Sequence, residues 1–169
     1  MWLLQLGQSF LGLELGQFGI LPRSWQGLWH IPLAPFVHHG WFHLISNSIP
    51  FLILGYLVEL KGKVEFWETL FLIALFSGLG VLIFGSNAYH AGASGVVLGF
   101  WSFLLMSGYL HRTAKSILLA VIALIIYGGF FFALLDVRQH ISWSSHAFGL
   151  MSGILVAWLV HIGHSSKKA

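Results

Sequence analysis

The chain has 169 residues, 57% of them hydrophobic and 8% charged, with a formal net charge of +3. Soluble domains carry about 25% charged residues, so this composition and a mean hydropathy of +0.85 exclude an ordinary soluble fold and describe an integral membrane protein. The basic residues are too few and too scattered for a nucleic-acid surface, and the absence of cysteine removes disulfides, thiolate metal sites and cysteine nucleophiles.

The length suits one domain, residues 1–169, folded as a single helical bundle. Residues 1–13 are apolar but interrupted by Gln5, Gly7 and Gln8. A membrane span needs about 20 residues, so the first span is short even when extended to residue 20. No basic flank followed by a small-residue cleavage site is present, so no cleaved signal peptide is expected. Leu21 to Phe36 is rich in Pro and Trp, as segments at a membrane interface are. Apolar runs at 41–60, 66–85, 94–110, 115–135 and 146–163 complete a count of six spans, with a core over about 19–163. The short links at 61–65 and 111–114 make their neighbours antiparallel.

Lys61, Lys63, Arg112, Lys115, Lys167 and Lys168 fall on one side of this arrangement, and Arg23 and Arg138 on the other. Basic residues favour the cytoplasmic side, so both termini are expected in the cytoplasm, in a multi-pass protein of a bacterial plasma (inner) membrane. The spans starting at Trp41, Ser94 and His146 then all enter from the outer face. His43 and Asn47 lie in the first turns of one, Ser94 opens the second within His90-Ala91-Gly92-Ala93-Ser94-Gly95, and His146 opens the third.

Polar groups grouped at one depth in a membrane are costly and usually functional. A serine hydroxyl becomes a nucleophile when an imidazole takes its proton, and that imidazole can then protonate a leaving amine. Ser94 and His146 suit that chemistry as a dyad; of the acidic residues, Asp136 lies on the outer side but at a loop start. His43 and Asn47, four apart, share a helix face and could join the Ser94 backbone N–H around an oxyanion. Each feature has a plainer reading: a small-residue packing seam for Gly-Ala-Ser-Gly, an interhelical hydrogen bond for Asn47, an interfacial histidine for His43. Gly95 and Gly99, with Gly149 and Gly153, have the spacing that lets two helices approach closely.

Together, His38 with His43-Leu-Ile-Ser-Asn47, Gly92-Ala-Ser94-Gly95, and His146-Ala-Phe-Gly149 with Gly153 resemble the rhomboid family of intramembrane serine proteases. The resemblance covers residues from about Gly19 to Val160. It implies an all-α membrane protein with a six-transmembrane-helix rhomboid-like bundle and serine endopeptidase activity. Ser94 would be the nucleophile, His146 the base, and His43 and Asn47 the oxyanion partners. It also implies single-pass transmembrane protein substrates from the surrounding bilayer, no cofactor and no metal, and leaves the oligomeric state open. The loop 21–40 resembles the family's membrane-embedded first loop. The fifth helix and the loop 136–145 resemble its gate and cap; Gly128-Gly129, Phe130-Phe131-Phe132 and Trp143 read either as the moving parts of such a gate or as an ordinary aromatic belt at the outer interface.

Three positions depart from the family pattern: Trp29-His30 stands where Trp-Arg is frequent, Leu98 stands where an aromatic residue often packs on the catalytic histidine, and the first span is short. An aromatic at Leu98 is expected to speed turnover if it fits without strain. The rival readings are a catalytically silent rhomboid-like binding protein and a metal-dependent membrane protein using His38, His39 and His43. The latter lacks an accompanying carboxylate or an H-E-x-x-H motif.

Overall fold

Long apolar runs in lipid must satisfy every backbone N–H and C=O internally, and a helix does so within one segment. The computed structural model of the chain describes residues 1–130 and 142–166, and these form an all-α membrane protein. The helices are α1 (Trp2–Phe10), α2 (Trp25–His30), α3 (Trp41–Glu59), α4 (Lys63–Phe84), α5 (Ser94–His111), α6 (Ala114–Tyr127) and α7 (Trp143–Ser166). Two 3₁₀ turns, Leu15–Phe18 and Ala34–Phe36, lie in the first connection.

Among the described residues, α3, α4, α5 and α7 are long and apolar enough to cross a membrane. α6 is apolar but shorter, and the last residues of the expected fifth span lie outside the described residues. The nine residues of α1 rise only about 14 Å at 1.5 Å per residue, so the short first span is a helix that does not by itself reach across. Two helix starts differ from the sequence reading, and α6 ends at Tyr127, before Gly128, short of the expected residue 135. α4 starts at Lys63, because the chain turns at Gly62 and the charged first turn continues the helix. α7 starts at Trp143 rather than at His146, because the Ser142 hydroxyl accepts the Ser145 N–H at 3.2 Å and caps the helix one turn earlier.

α5 is the hub. It packs against α3, α4, α6 and α7, and 67% of its membrane-length window is buried, against 28–44% for the other spans. Phe100 and Phe103 are fully buried, with Leu54, Val58, Ile73 and Val156 closing around them from α3, α4 and α7. Trp101 Nε1–H donates to Ala123 O at 3.3 Å, which fastens α5 to α6.

At its glycines the α5–α7 contact is made by backbone. A Cβ added at Gly149 would stand 2.2 Å from Gly95 O, and one at Gly153 would stand 2.0 Å from Gly99 O. The glycine spacing read from the sequence therefore marks a seam with no room for a side chain. On its other side α7 sets Phe148 against Gly80 of α4, where an added Cβ would be 2.5 Å from the ring.

The first connection is fastened to the bundle rather than loose. Arg23 donates its backbone N–H to Leu82 O (2.7 Å) and its Nη1 to Gly85 O (2.8 Å), both at the end of α4. Ser24 caps α2 by accepting from Gly27 N at 3.0 Å. Trp25 and Trp29 point outward, 70% and 65% exposed, which suits an interfacial segment. His30, at the place of the family's arginine, donates Nδ1–H to Gly19 O at 3.0 Å and thereby closes the connection on itself.

Candidate active site

The N-terminal turns of α3, α5 and α7 meet at one end of the bundle, and the Lys61 and Arg112 turns lie at the other. Ser94 is the first residue of α5, preceded by Gly92 at φ +117 and by Ala93. Helix N-termini leave their first backbone N–H groups without intrahelical partners. Val97 N–H is the first to reach back, to Ala93 O at 2.9 Å. The N–H of Ser94 thus belongs to the unpaired set of the helix start.

The seam brings α7 to this turn. A Cβ at Gly95, next to Ser94, would lie 3.1 Å from the carbonyl oxygen of Ser145, next to His146. Ser94 and His146 are both half-buried, protected by the bundle yet reachable. His43 and His146 are near enough to act on each other electrostatically, which places the start of α3 near the first turn of α7.

His43 is oriented by its neighbour. The His39 backbone N–H donates to His43 Nδ1 at 3.4 Å, so in the neutral ring the proton sits on Nε2. That edge faces Gly92, where an added Cβ would be 2.8 Å from Nε2 and 3.8 Å from Asn47 Nδ2. Gly92 is required twice, by its positive φ and by the imidazole occupying the place of a side chain. Asn47 is buried (5% exposed), and one amide proton goes to His43 O of its own helix at 3.0 Å. The second amide proton remains for a partner on the Gly92 side. The interhelical bond considered for Asn47 is thus an intrahelical one.

Two histidines gain a place that the sequence did not assign. His38 is 2% exposed; its Nδ1–H donates to Phe36 O (3.4 Å) and its Nε2 accepts the Ala93 N–H (3.4 Å), directly before Ser94. Burial first, and the neighbouring His43 second, lower its pKa from 6.5 to about 4. His90 is 4% exposed and pairs by backbone with Ile20, and its ring bonds Ser86 and Ser142. Only the position of His90 within the glycine-rich stretch hinted at it. His38, His39 and His43 form a ring cluster, with His38 edge-on to His43 at 5.1 Å and His39 stacked on it at 6.2 Å. Among the described residues, no group of three His, Cys, Asp or Glu is placed to hold a metal ion.

Leu98, one turn along α5 from Ser94, is 3% exposed and packed. Phe131 and Phe132, expected to serve as a gate, lie outside the described residues with Asp136 and the loop as far as residue 141. Phe130 sets its ring against Tyr127 (4.9 Å) and Trp101 (6.3 Å), toward the bundle, and Trp143 is 46% exposed.

The fold and these contacts define a multi-pass membrane protein with Ser94, His43, His146 and the buried Asn47 amide at the same end of the bundle. Comparison with known proteins gives it a family. The family model for the Rhomboid domain matches residues 26–163. An uncharacterized protein of Mycobacterium tuberculosis is 32% identical over 179 residues, covering 100% of this chain and 74% of the relative. One of Mycobacterium leprae is 30% identical over 178 residues, covering 100% and 70%. The chain belongs to the rhomboid family.

Proposed function

We propose that the chain is an intramembrane serine endopeptidase in which Ser94 is the nucleophile and His146 its general base and acid. The observation that carries this reading is the glycine seam, which leaves no side chain between the turn bearing Ser94 and the first turn of α7. Ser94 Oγ attacks the scissile carbonyl carbon as its proton passes to His146. The carbonyl oxygen becomes an oxyanion, and the Ser94 N–H, His43 Nε2–H and the second amide proton of Asn47 are the donors that converge there. The C–N bond then breaks, and His146 returns the proton to the leaving amine. Water, deprotonated by the same imidazole, releases the acyl group and restores Ser94.

Lys61, Lys63, Arg112 and Lys115 lie at the end of the bundle away from Ser94, which supports placing that end and both termini in the cytoplasm. The site then opens to the outer side of a bacterial plasma membrane. Membership of the rhomboid family supports single-pass membrane proteins as substrates, entering from the bilayer.

The test is reaction of the purified protein with a fluorophosphonate, mapping of the adduct, and cleavage of a model single-span substrate. Label on Ser94, and loss of cleavage in folded Ser94→Ala and His146→Ala variants, are expected. EDTA should have no effect. Undiminished cleavage by folded Ser94→Ala protein overturns the dyad; loss in EDTA with recovery in zinc turns the assignment toward a metalloenzyme. A folded wild-type protein that neither labels nor cleaves supports a silent binding protein instead.

A further inference from the structure

We propose that His90 is a positioning residue for this hydrolysis: through Ser142 it locks the helix carrying His146 in register with the turn carrying Ser94. The proposal rests on the Ser94–His146 reading. His90 stands four residues before Ser94, and its own placement is rigid. Its backbone exchanges two hydrogen bonds with Ile20, at 2.8 and 2.9 Å. Its Nε2–H donates to Ser86 O at 2.9 Å, so Nδ1 is an acceptor. The ring has no slack, since a Cβ at Gly85 would already be 3.1 Å from Nε2.

The acceptor is used across 52 residues of sequence. The Ser142 hydroxyl donates to His90 Nδ1 at 2.6 Å. With its proton committed there, Ser142 Oγ accepts the Ser145 hydroxyl at 2.6 Å and the Ser145 N–H at 3.2 Å. Ser142 is thereby both the cap of α7 and the target of His90, and His146 follows one turn later. A continuous path of hydrogen bonds runs from the segment leading into Ser94 to the start of the His146 helix.

The seam explains why such a lock is needed. Deeper in the seam Ser102 Oγ–H donates to Leu150 O at 2.8 Å and so fixes register there, whereas at the open end Gly95 and Gly149 meet backbone to backbone, which fixes how near the helices lie but leaves rotation to another contact. A short, directional O–H···N bond at the open end supplies that constraint. Proton transfer between Ser94 and His146 is sensitive to it, because a misplacement of 1 Å costs about 10²-fold in rate.

The experiment is a double-mutant cycle on kcat with the full chain in proteoliposomes, using His90→Phe, Ser142→Ala and the pair, with thermal unfolding beside it. His90→Phe keeps the ring volume and removes both ring bonds. It is expected to lower kcat about 10–100-fold with KM within about threefold. The pair should be no slower than the worse single variant, within about threefold, because the His90–Ser142 bond, lost in either variant, is the link through which both act. His90→Gln can donate to Ser86 and accept from Ser142, and should recover at least about a third of the wild-type kcat by remaking both hydrogen bonds. Losses that multiply in the pair, a Gln variant as slow as Phe, or a lower thermal midpoint with unchanged kcat in the folded protein each overturn the proposal. If His90→Phe does not fold, the Gln and Ser142→Ala variants decide it by the same criteria. Cleavage that survives in Ser94→Ala overturns the dyad and this proposal together. Cleavage that requires Ser94 but shows no His90–Ser142 coupling overturns the His90 role alone.

Discussion

Gly149→Ala is the sharpest perturbation of the seam. The added methyl would stand 2.2 Å from Gly95 O, whereas ordinary contact begins near 3.4 Å, and the obstructing atom is backbone that cannot rotate away. α5 and α7 must therefore part by about 1 Å. Overpacking of this kind costs about 1–3 kcal/mol, which for a chain of this size lowers the thermal midpoint by roughly 2–12 °C. The displacement falls one turn from His146, so it opens the gap to Ser94 by a comparable distance. About 10²-fold in kcat should be lost at nearly constant KM. The measurements are cleavage of a single-span substrate in proteoliposomes and thermal unfolding in the same lipid. Gly163→Ala is the control, since a methyl there meets nothing within 4 Å. A Gly149→Ala protein with kcat within about threefold of wild type, at a midpoint equal to that of the control, would refute the claim that this seam sets the Ser94–His146 geometry.

Asn47→Ala should slow cleavage by less than the about 10²–10³-fold that removal of a sole oxyanion donor costs, because His43 Nε2–H and the Ser94 N–H remain. A kcat as low as that of Ser94→Ala would contradict shared donation. Leu98→Tyr should lower the thermal midpoint without raising kcat, since Leu98 is 3% exposed and the larger ring must displace its neighbours; a faster, equally stable variant would show that there is room. Stability should fall as pH drops from about 6.5 toward 4. His38, with a folded pKa of about 4 below its unfolded 6.5, binds its proton more readily when unfolded, so its contribution is complete above 6.5 and lost through that window. A His38→Gln variant should flatten this part of the pH–midpoint curve, and an unchanged slope would remove His38 as its source.

Composition and apolar run length made the membrane bundle legible, because lipid leaves the backbone few alternatives. Gly95, Gly99, Gly149 and Gly153 were legible as a pair of close-packing faces for a similar reason: the four-residue spacing is a property of one helix, readable without its partner. The start of α7 was not, since Trp143-Ser144-Ser145 has the composition of a loop until Ser142 is seen capping it. His38 and His90 were visible as residues but not as parts. Their partners, Ala93 and Ser142, lie 55 and 52 positions away, and nothing local encodes which distant donor a buried imidazole will meet. The tautomer of His43 depended likewise on a backbone N–H that only the turn at Gly40 aims at it.

The first connection has a mechanical consequence. Ile20 pairs with His90, Ala34 O accepts the Gly92 N–H at 2.9 Å, and His38 accepts the Ala93 N–H. Three successive attachments splint residues 20–38 to the strip that ends at Ser94. The same connection carries Trp25 and Trp29, the residue type that settles at the boundary between headgroups and acyl chains. A bilayer that thickens or thins moves that boundary relative to the bundle. The three attachments are the route by which such a shift would reach the serine turn, so cleavage is expected to vary with hydrocarbon thickness, as turnover in vesicles of graded acyl length would show.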